Sequence, residues 1–240
     1  MQSLRYAPVT AGMVFLTMVL SATLAVAEVV SARYGDPTTR YPHGVLGDDI
    51  EFGSLILRLS DGGQAMISLP ETRVFEDIAP RLADVDSDGT PEVITVESDM
   101  SLGARLAIYD ETGLVAATPF IGQGSRWLAP IGAADLDGDG FVEIAYIDRP
   151  HLAKTLRVWR FKDGGLQQVA SKDGLTNHKI GWDFILGGIR NCADAPEIIV
   201  ATGNWANIVS VRMKPEGRLT SRTIGPYAGP DSVNAALNCP

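Results

Sequence analysis

The chain is short of basic residues. Twenty Lys and Arg stand against 29 Asp and Glu over 240 residues, a formal net charge of −9. Residues 1–27 hold one base, Arg5, and no acid, so the remainder carries 19 bases against 29 acids, or −10. A general nucleic-acid binder needs a basic face to displace counterions from phosphates, and this balance argues against one. It argues equally against docking on anionic membrane through a polybasic patch. Histidine is scarce, with His43, His151 and His178 alone, and only two cysteines occur, Cys192 and Cys239. There is no Gly-x-Ser-x-Gly nucleophile turn, no His-Glu-x-x-His zinc helix and no phosphate-cradling glycine loop. Catalysis is therefore poorly supported by motif. After Glu28 no segment approaches the ~18 apolar residues of a spanning helix, so no stable membrane insertion is expected of the mature chain. What is present suffices for a packed core: 45% of residues are hydrophobic and 20% charged.

The N-terminus reads as a secretory signal peptide over residues 1–27. Arg5 precedes an uncharged apolar run, Ala11–Ala27, which ends in Ala25-Val26-Ala27 and is followed at once by Glu28. Small residues at the two positions a signal peptidase inspects favour cleavage. The competing reading is a retained anchor, because Tyr6–Ala27 is long enough to span a bilayer. The expected location is exported, periplasmic or extracellular. An even cysteine count in an exported chain suggests one disulfide, Cys192 with Cys239, the alternative being two free thiols.

The chain repeats. Residues 83–96 read ADVDSDGTPEVITV and residues 134–147 read ADLDGDGFVEIAYI, offset by 51 without a gap. Gly62, Gly113 and Gly164 are also 51 apart, and Gly217 follows 53 later. Each glycine follows a short alternating apolar stretch, such as Leu55-Ile56-Leu57-Arg58-Leu59 or Leu156-Arg157-Val158-Trp159. That is hairpin chemistry. A degraded fourth copy of the acidic segment spans residues 189–200. Units of about 40–50 residues with several strands each read as propeller blades. The expected fold is all-β, a small β-propeller of about four four-stranded blades over 28–78, 79–129, 130–180 and 181–240. The alternative is an open or sandwich-like stack of β-repeats.

The acidic segments have metal-site chemistry. Asp84, Asp86, Asp88 and Glu92 occupy loop positions 1, 3, 5 and 9, with Gly89 at position 6. Asp135, Asp137, Asp139 and Glu143 repeat the spacing around Gly140. Four carboxylates in nine residues repel one another unless a cation lies among them. Hard oxygen ligands in a flexible loop suit Ca²⁺, which takes six to eight oxygens at ~2.3–2.6 Å. The backbone carbonyls of Thr90 and Phe141, at position 7, are further candidate ligands. The pattern starts like an EF-hand and departs from it. Position 12 is Thr95 in one copy and Tyr146 in the other, and the flanks are strand sequences.

The two segments resemble the FG-GAP (VCBS-type) repeats of integrin-α-like β-propellers. In that family an Asp-x-Asp-x-Asp-Gly-x-x-Asp loop joins two strands of a blade and binds calcium. The resemblance implies two Ca²⁺ sites, with Asp84, Asp86, Asp88 and Glu92 in one and Asp135, Asp137, Asp139 and Glu143 in the other. Both copies carry Glu where the family more often has Asp. Cys192 falls opposite Ser87 and Gly138 in the degraded copy, so a disulfide there would stand where the metal was lost.

Outside the loops, Arg73, Arg126 and Lys179 recur at intervals of 53, with Trp127, His178 and Trp182 beside them. In a propeller these positions would converge near one mouth of the channel and suit an anionic or sugar-like ligand. The plainer reading makes them solvated loop residues and inter-blade core. Two functional classes follow. One is a non-catalytic calcium-stabilised propeller that recognises a protein or glycan. The other is a small exported hydrolase or lyase with its active site in the channel.

Overall fold

The computed structural model describes residues 1–3, 27–192 and 195–239. Most of the expected leader, residues 4–26, lies outside the described residues, as do residues 193–194 of the degraded acidic copy. The described chain is all-β, with one short α-helix near its end. None of its helices is long and apolar enough to cross a membrane.

The strands form three sheets in chain order. The first holds β1 (Val29–Thr38), β2 (Glu51–Leu59), β3 (Gln64–Ser68), β4 (Arg73–Phe75), β5 (Arg81–Ala83), β6 (Glu92–Asp99), β7 (Gly103–Asp110) and β8 (Gly113–Ala117). The second is a four-stranded meander of β9 (Leu128–Ala134), β10 (Glu143–Asp148), β11 (Thr155–Lys162) and β12 (Gly165–Asp173). The third holds β13 (Leu175–Thr176), β14 (Gly188–Arg190), β15 (Glu197–Thr202), β16 (Asn207–Lys214) and β17 (Arg218–Pro226). Helix α1 (Pro230–Leu237) follows. All the pairings are antiparallel. Equivalent strands start at Glu51, Gly103, Thr155 and Asn207, 52 residues apart each time.

This differs from four separate four-stranded units. The sheets have eight, four and five strands, and none closes on itself. The cause is local. β4 pairs with β2 through Phe52–Phe75 and with β6 through Arg73–Asp99, Val74–Ser98 and Phe75–Glu97, which fuses the first two units into one sheet. The first unit, 28–78, supplies β1, β2, β3 and β4 among the described residues, and β4 is the strand that passes into the second unit's sheet. Position 78 falls between β4 and β5, 129 inside β9 and 181 between β13 and β14.

Alternation along each strand explains how the layers stack. Side chains on a strand point to opposite faces with period two. On β7, Leu106 and Ile108 enter one apolar core while Ala107 and Tyr109 enter another. On β10, Ile144 and Tyr146 face the first core, and Ala145 and Ile147 face a third, shared with Ile198 and Val200 of β15. Both faces of β7 and of β10 are thus buried, so these strands read as near-continuous apolar runs. The outer face of the last sheet is covered by α1. Val233 is fully buried there in one cluster with Ile199, Ile208 and Leu186. This helix was not expected from the sequence. It starts at Pro230, whose missing N–H costs nothing in a first turn. It is tied down by the Cys192–Cys239 disulfide and by Arg190 Nη1, which donates to the Ala236 carbonyl at 2.5 Å.

Candidate metal centres

Each acidic loop joins two antiparallel neighbours: β5 to β6 in one unit, β9 to β10 in the next. The position-2 residue anchors it. Val85 and Leu136 are each 1% exposed and plug the cores on either side of the second sheet. With that residue inward, the flanking carboxylates of positions 1 and 3 are held at the sheet end. Position 6 must reverse the chain, and Gly89 and Gly140 do so at φ +97° and +89°. Nothing lies near a Cβ at either place, so backbone conformation rather than crowding requires glycine. Position 4 is also left-handed: Gly138 has φ +81° and Ser87 has φ +64°, a conformation that costs serine more.

The carboxylates satisfy loop N–H groups in matched ways. Asp84 accepts from Asp88 N at 3.2 Å and Gly89 N at 3.0 Å; Asp135 accepts from Asp139 N at 3.2 Å and Gly140 N at 3.0 Å. Glu92 and Glu143 open β6 and β10, are buried, and each accepts a backbone N–H from position 2 at 2.8 Å. Oxygens of Asp84, Asp86 and Glu92 lie within 4.8 Å of one another, and those of Asp135, Asp137 and Glu143 do the same. Each group could hold a cation. Asp88 and Asp139 stand outside these groups. Asp88 Oδ1 accepts from Thr90 N at 2.8 Å and Thr90 Oγ1 at 2.6 Å, and Asp139 Oδ1 accepts from Phe141 N at 3.0 Å. Thr90 and Phe141 therefore act as N–H donors within their own turns.

Burial raises the Glu92 and Glu143 pKa values, and the neighbouring Asp86 and Asp137 charges add to the effect. Position-2 N–H groups oppose it. At Glu143 a guanidinium opposes it as well. Arg160, paired with Glu143 across β10–β11, reaches Glu143 Oε1 at 2.5 Å, Asp137 Oδ2 at 2.8 Å and Asp139 Oδ2 at 2.6 Å. It leaves Asp137 Oδ1 buried without a hydrogen-bond partner. Sequence reading missed Arg160; its signal is its place opposite loop position 9.

The degraded copy shows the end of this series. Glu197 takes the position of Glu92 and Glu143, and it receives Arg190 at 2.6 Å, Arg212 at 2.6 Å and Arg222 at 3.3 Å. Burial works against ionisation of Glu197, but the arginines outweigh it and hold its pKa at about 2.

The six residues proposed as a channel mouth are only partly brought together. Trp127 and His178 are buried in edge contact at 4.9 Å, and His178 meets Trp182 at 6.2 Å. Lys179 Nζ sits among the rings of Trp182, Trp205 and Tyr227, at 5.3, 4.7 and 5.3 Å. Arg73 is engaged elsewhere, with Glu97, Asp99 and the Phe120 ring. Arg126 borders a cavity of about 230 Å³ that four connections build. His43 comes from the β1–β2 connection and Ser125–Trp127 from β8–β9. Arg149–Leu152 come from β10–β11 and Ile180 from β13–β14. The first and last of these connections touch, Gly181 N donating to Val45 O at 3.1 Å. Sequence reading did not group His43 and His151 here, because their spacing follows no repeat.

Stacked β-meanders with the same carboxylate loop in two of them define a repeat-built β protein. Residues 77–146, which contain both loops, match the family model described as FG-GAP-like repeat, so this stretch carries FG-GAP-type repeats. No curated protein matches the chain.

Proposed function

We propose that the chain is an exported calcium-binding β-propeller that acts as a non-catalytic recognition module for a protein or glycan. The observation that carries the calcium reading is the pair of convergent carboxylate groups built by the same hydrogen bonds in consecutive units. The donor set is hard oxygen, suited to Ca²⁺ rather than to a soft transition metal. The orphaned, buried Asp137 Oδ1 fits the group too, since a buried carboxylate oxygen without a donor is otherwise costly. Asp84, Asp86 and Glu92 would hold one ion; Asp135, Asp137 and Glu143 would hold the other. Calcium would cancel carboxylate repulsion and pin each loop to its sheet end. Glu92 and Glu143 also hold their strand starts to position 2 through the backbone N–H groups of Val85 and Leu136.

Two-faced burial of consecutive sheets and contact between the first and last connections support the propeller reading. The disulfide supports export, because such bonds persist in oxidising compartments. The repeat family and the cavity where the connections meet support recognition over structure alone. Calorimetric titration of calcium into metal-stripped protein tests the reading. Two binding events are expected, and Asp86→Asn and Asp137→Asn should each weaken one. No heat from wild type would sink it.

A further inference from the structure

The cavity among the four connections has a defined complement of donors and acceptors. Its floor is Trp127, 2% exposed, whose Nε1–H donates to the Glu76 carbonyl at 2.8 Å. Over it stand His43, Arg126 and His151. Leu152 and Ile180 line it as well, 64% and 72% exposed, and give it an aliphatic wall.

The histidine tautomers follow from their partners. His178 Nε2 lies 3.0 Å from the Trp182 carbonyl, which can only accept, so His178 carries its proton on Nε2. His151 Nε2 lies 3.0 Å from His178 Nδ1 and must donate to it. Burial lowers both pKa values, that of His151 to about 4, with His178 and His43 adding to the effect there. His151 is therefore neutral, and its Nδ1 is a lone pair. His43 Nδ1 lies 2.5 Å from Oε1 of the fully buried Glu76, to which it donates. That leaves Nε2 as the other polar edge of His43.

The cationic partner is Arg126. Its Nη1 donates to its neighbour's carbonyl, Ser125 O, at 2.8 Å, and it has no carboxylate partner among the described residues. Arg149, also at the cavity, is already paired in two-pronged fashion with Asp148 at 2.8 and 3.0 Å. One uncommitted guanidinium, the His151 Nδ1 acceptor, the Nε2 edge of His43 and an aliphatic wall form an uneven set. An anion alone would leave the His151 lone pair unmatched. A neutral polyol alone would leave the guanidinium unmatched.

We propose that this cavity binds a hydroxylated carboxylate of monosaccharide size, the chemistry of an acidic sugar. The carboxylate pairs with Arg126, one hydroxyl group donates to His151 Nδ1, a second hydroxyl meets His43 Nε2, and the C–H face lies on Leu152 and Ile180. This rests on the recognition reading above and names its ligand class; it does not depend on calcium. The arrangement predicts discrimination, because a polar site rejects ligands that leave its groups unpaired.

The test is calorimetric titration in chelator with three probes: D-galacturonate, D-galactose, which lacks the carboxylate, and propionate, which lacks the hydroxyls. Galacturonate should bind, with both analogues weaker by about tenfold or more. Arg126→Gln should reduce galacturonate affinity by about tenfold or more, and Arg58→Gln, on the exposed side of β2, should leave it unchanged. In an amide proton spectrum the Trp127 indole resonance should move on addition of galacturonate. Melts in the same buffer check that Arg126→Gln is folded. Galactose binding as tightly as galacturonate, an unaltered affinity in Arg126→Gln, or no galacturonate binding would each overturn the proposal. A lost calcium signal with intact sugar binding would instead strike only the metal reading.

Discussion

The two acidic loops share spacing, turn geometry and backbone hydrogen bonds, yet their surroundings differ at one place. Opposite Glu143 on the neighbouring strand stands Arg160. In the preceding unit Val93 pairs with Tyr109, which puts Asp110 beside Glu92. Asp110 turns its carboxylate to its own hairpin, accepting from Thr112 N at 2.7 Å and Gly113 N at 2.9 Å. The first loop therefore keeps an uncompensated carboxylate group, with Asp86 exposed. The second is covered by a guanidinium, and the Asp137 side chain is 3% exposed. At the equivalent place of the last unit Arg212 faces Glu197, joined by Arg190 and Arg222. Along the chain the carboxylate at this position meets no arginine, then one, then three. The protein's own cations thus balance this carboxylate to a different degree in each unit. The same loop geometry carries different electrostatics because the neighbour across the strand pair is free to change.

The sharpest break of this comparison is at its arginine-rich end. Glu197→Ala should destabilise the protein by about 3–5 kcal/mol, since it leaves buried guanidinium charge unpaired. Equal losses in calcium and in chelator are expected, measured by denaturant unfolding. A loss that depends on calcium would show that this position still answers to metal. The same carboxyl sets a pH signature. Its folded pKa, about 2, lies below its unfolded value, so its stabilisation is complete above the ordinary glutamate range and disappears as pH falls through 2. Acid melts of wild type should steepen over that window, and Glu197→Gln should flatten them.

Metal removal is the next largest effect. Chelator should lower the melting temperature, in line with about 2.7 kcal/mol at a calcium concentration 100-fold above Kd. Asp137→Asn should lose calcium affinity, and its stability cost should shrink in chelator. A variant more stable than wild type in every buffer would mean that the loop is only an acidic turn.

Arg160→Gln separates the two loops directly. In chelator it should destabilise by about 1–3 kcal/mol, because three carboxylates lose their shared partner. In calcium the sign should reverse at the second site, with affinity raised there and unchanged at the first. Terbium luminescence, read in an Asp84→Asn background that disables the first loop, resolves the second. If affinity at the second loop falls or does not move, Arg160 only supports the fold.

The smallest effect lies in the backbone. Ser87 and Gly138 share a left-handed conformation, so Ser87→Gly should stabilise by a few tenths to about 1 kcal/mol and Gly138→Ser should cost as much. Thermal melts in chelator measure both without interference from the ion.

The features legible in the sequence are those that neighbouring residues determine by themselves. The loop turns at Gly89 and Gly140 are one kind, because a left-handed backbone is a property of a single residue. The strands are another, because burial on both faces, as along Leu106–Tyr109, leaves a continuous apolar run in the sequence. Less legible were features that depend on which segments meet. β4 joins two units because Phe75 finds Phe52, 23 residues earlier, and no repeat spacing announces that pairing. The hydrophobic stripe of α1 is too short to stand out, and Val233 becomes core only because Ile199 and Leu186 lie beneath it.

By itself, then, the sequence determined the β character, the repeat spacing and the two carboxylate turns, all of which rest on local conformational preference and on alternation between faces. Tertiary structure alone decided that Arg160 covers one turn and not the other, that three arginines gather on Glu197, and that His43, Arg126 and His151 share one cavity. The physical reason is range. Torsional preference and patterning act between neighbours in the chain, whereas ion pairs and cavities depend on distances between residues that only the packed sheets bring together.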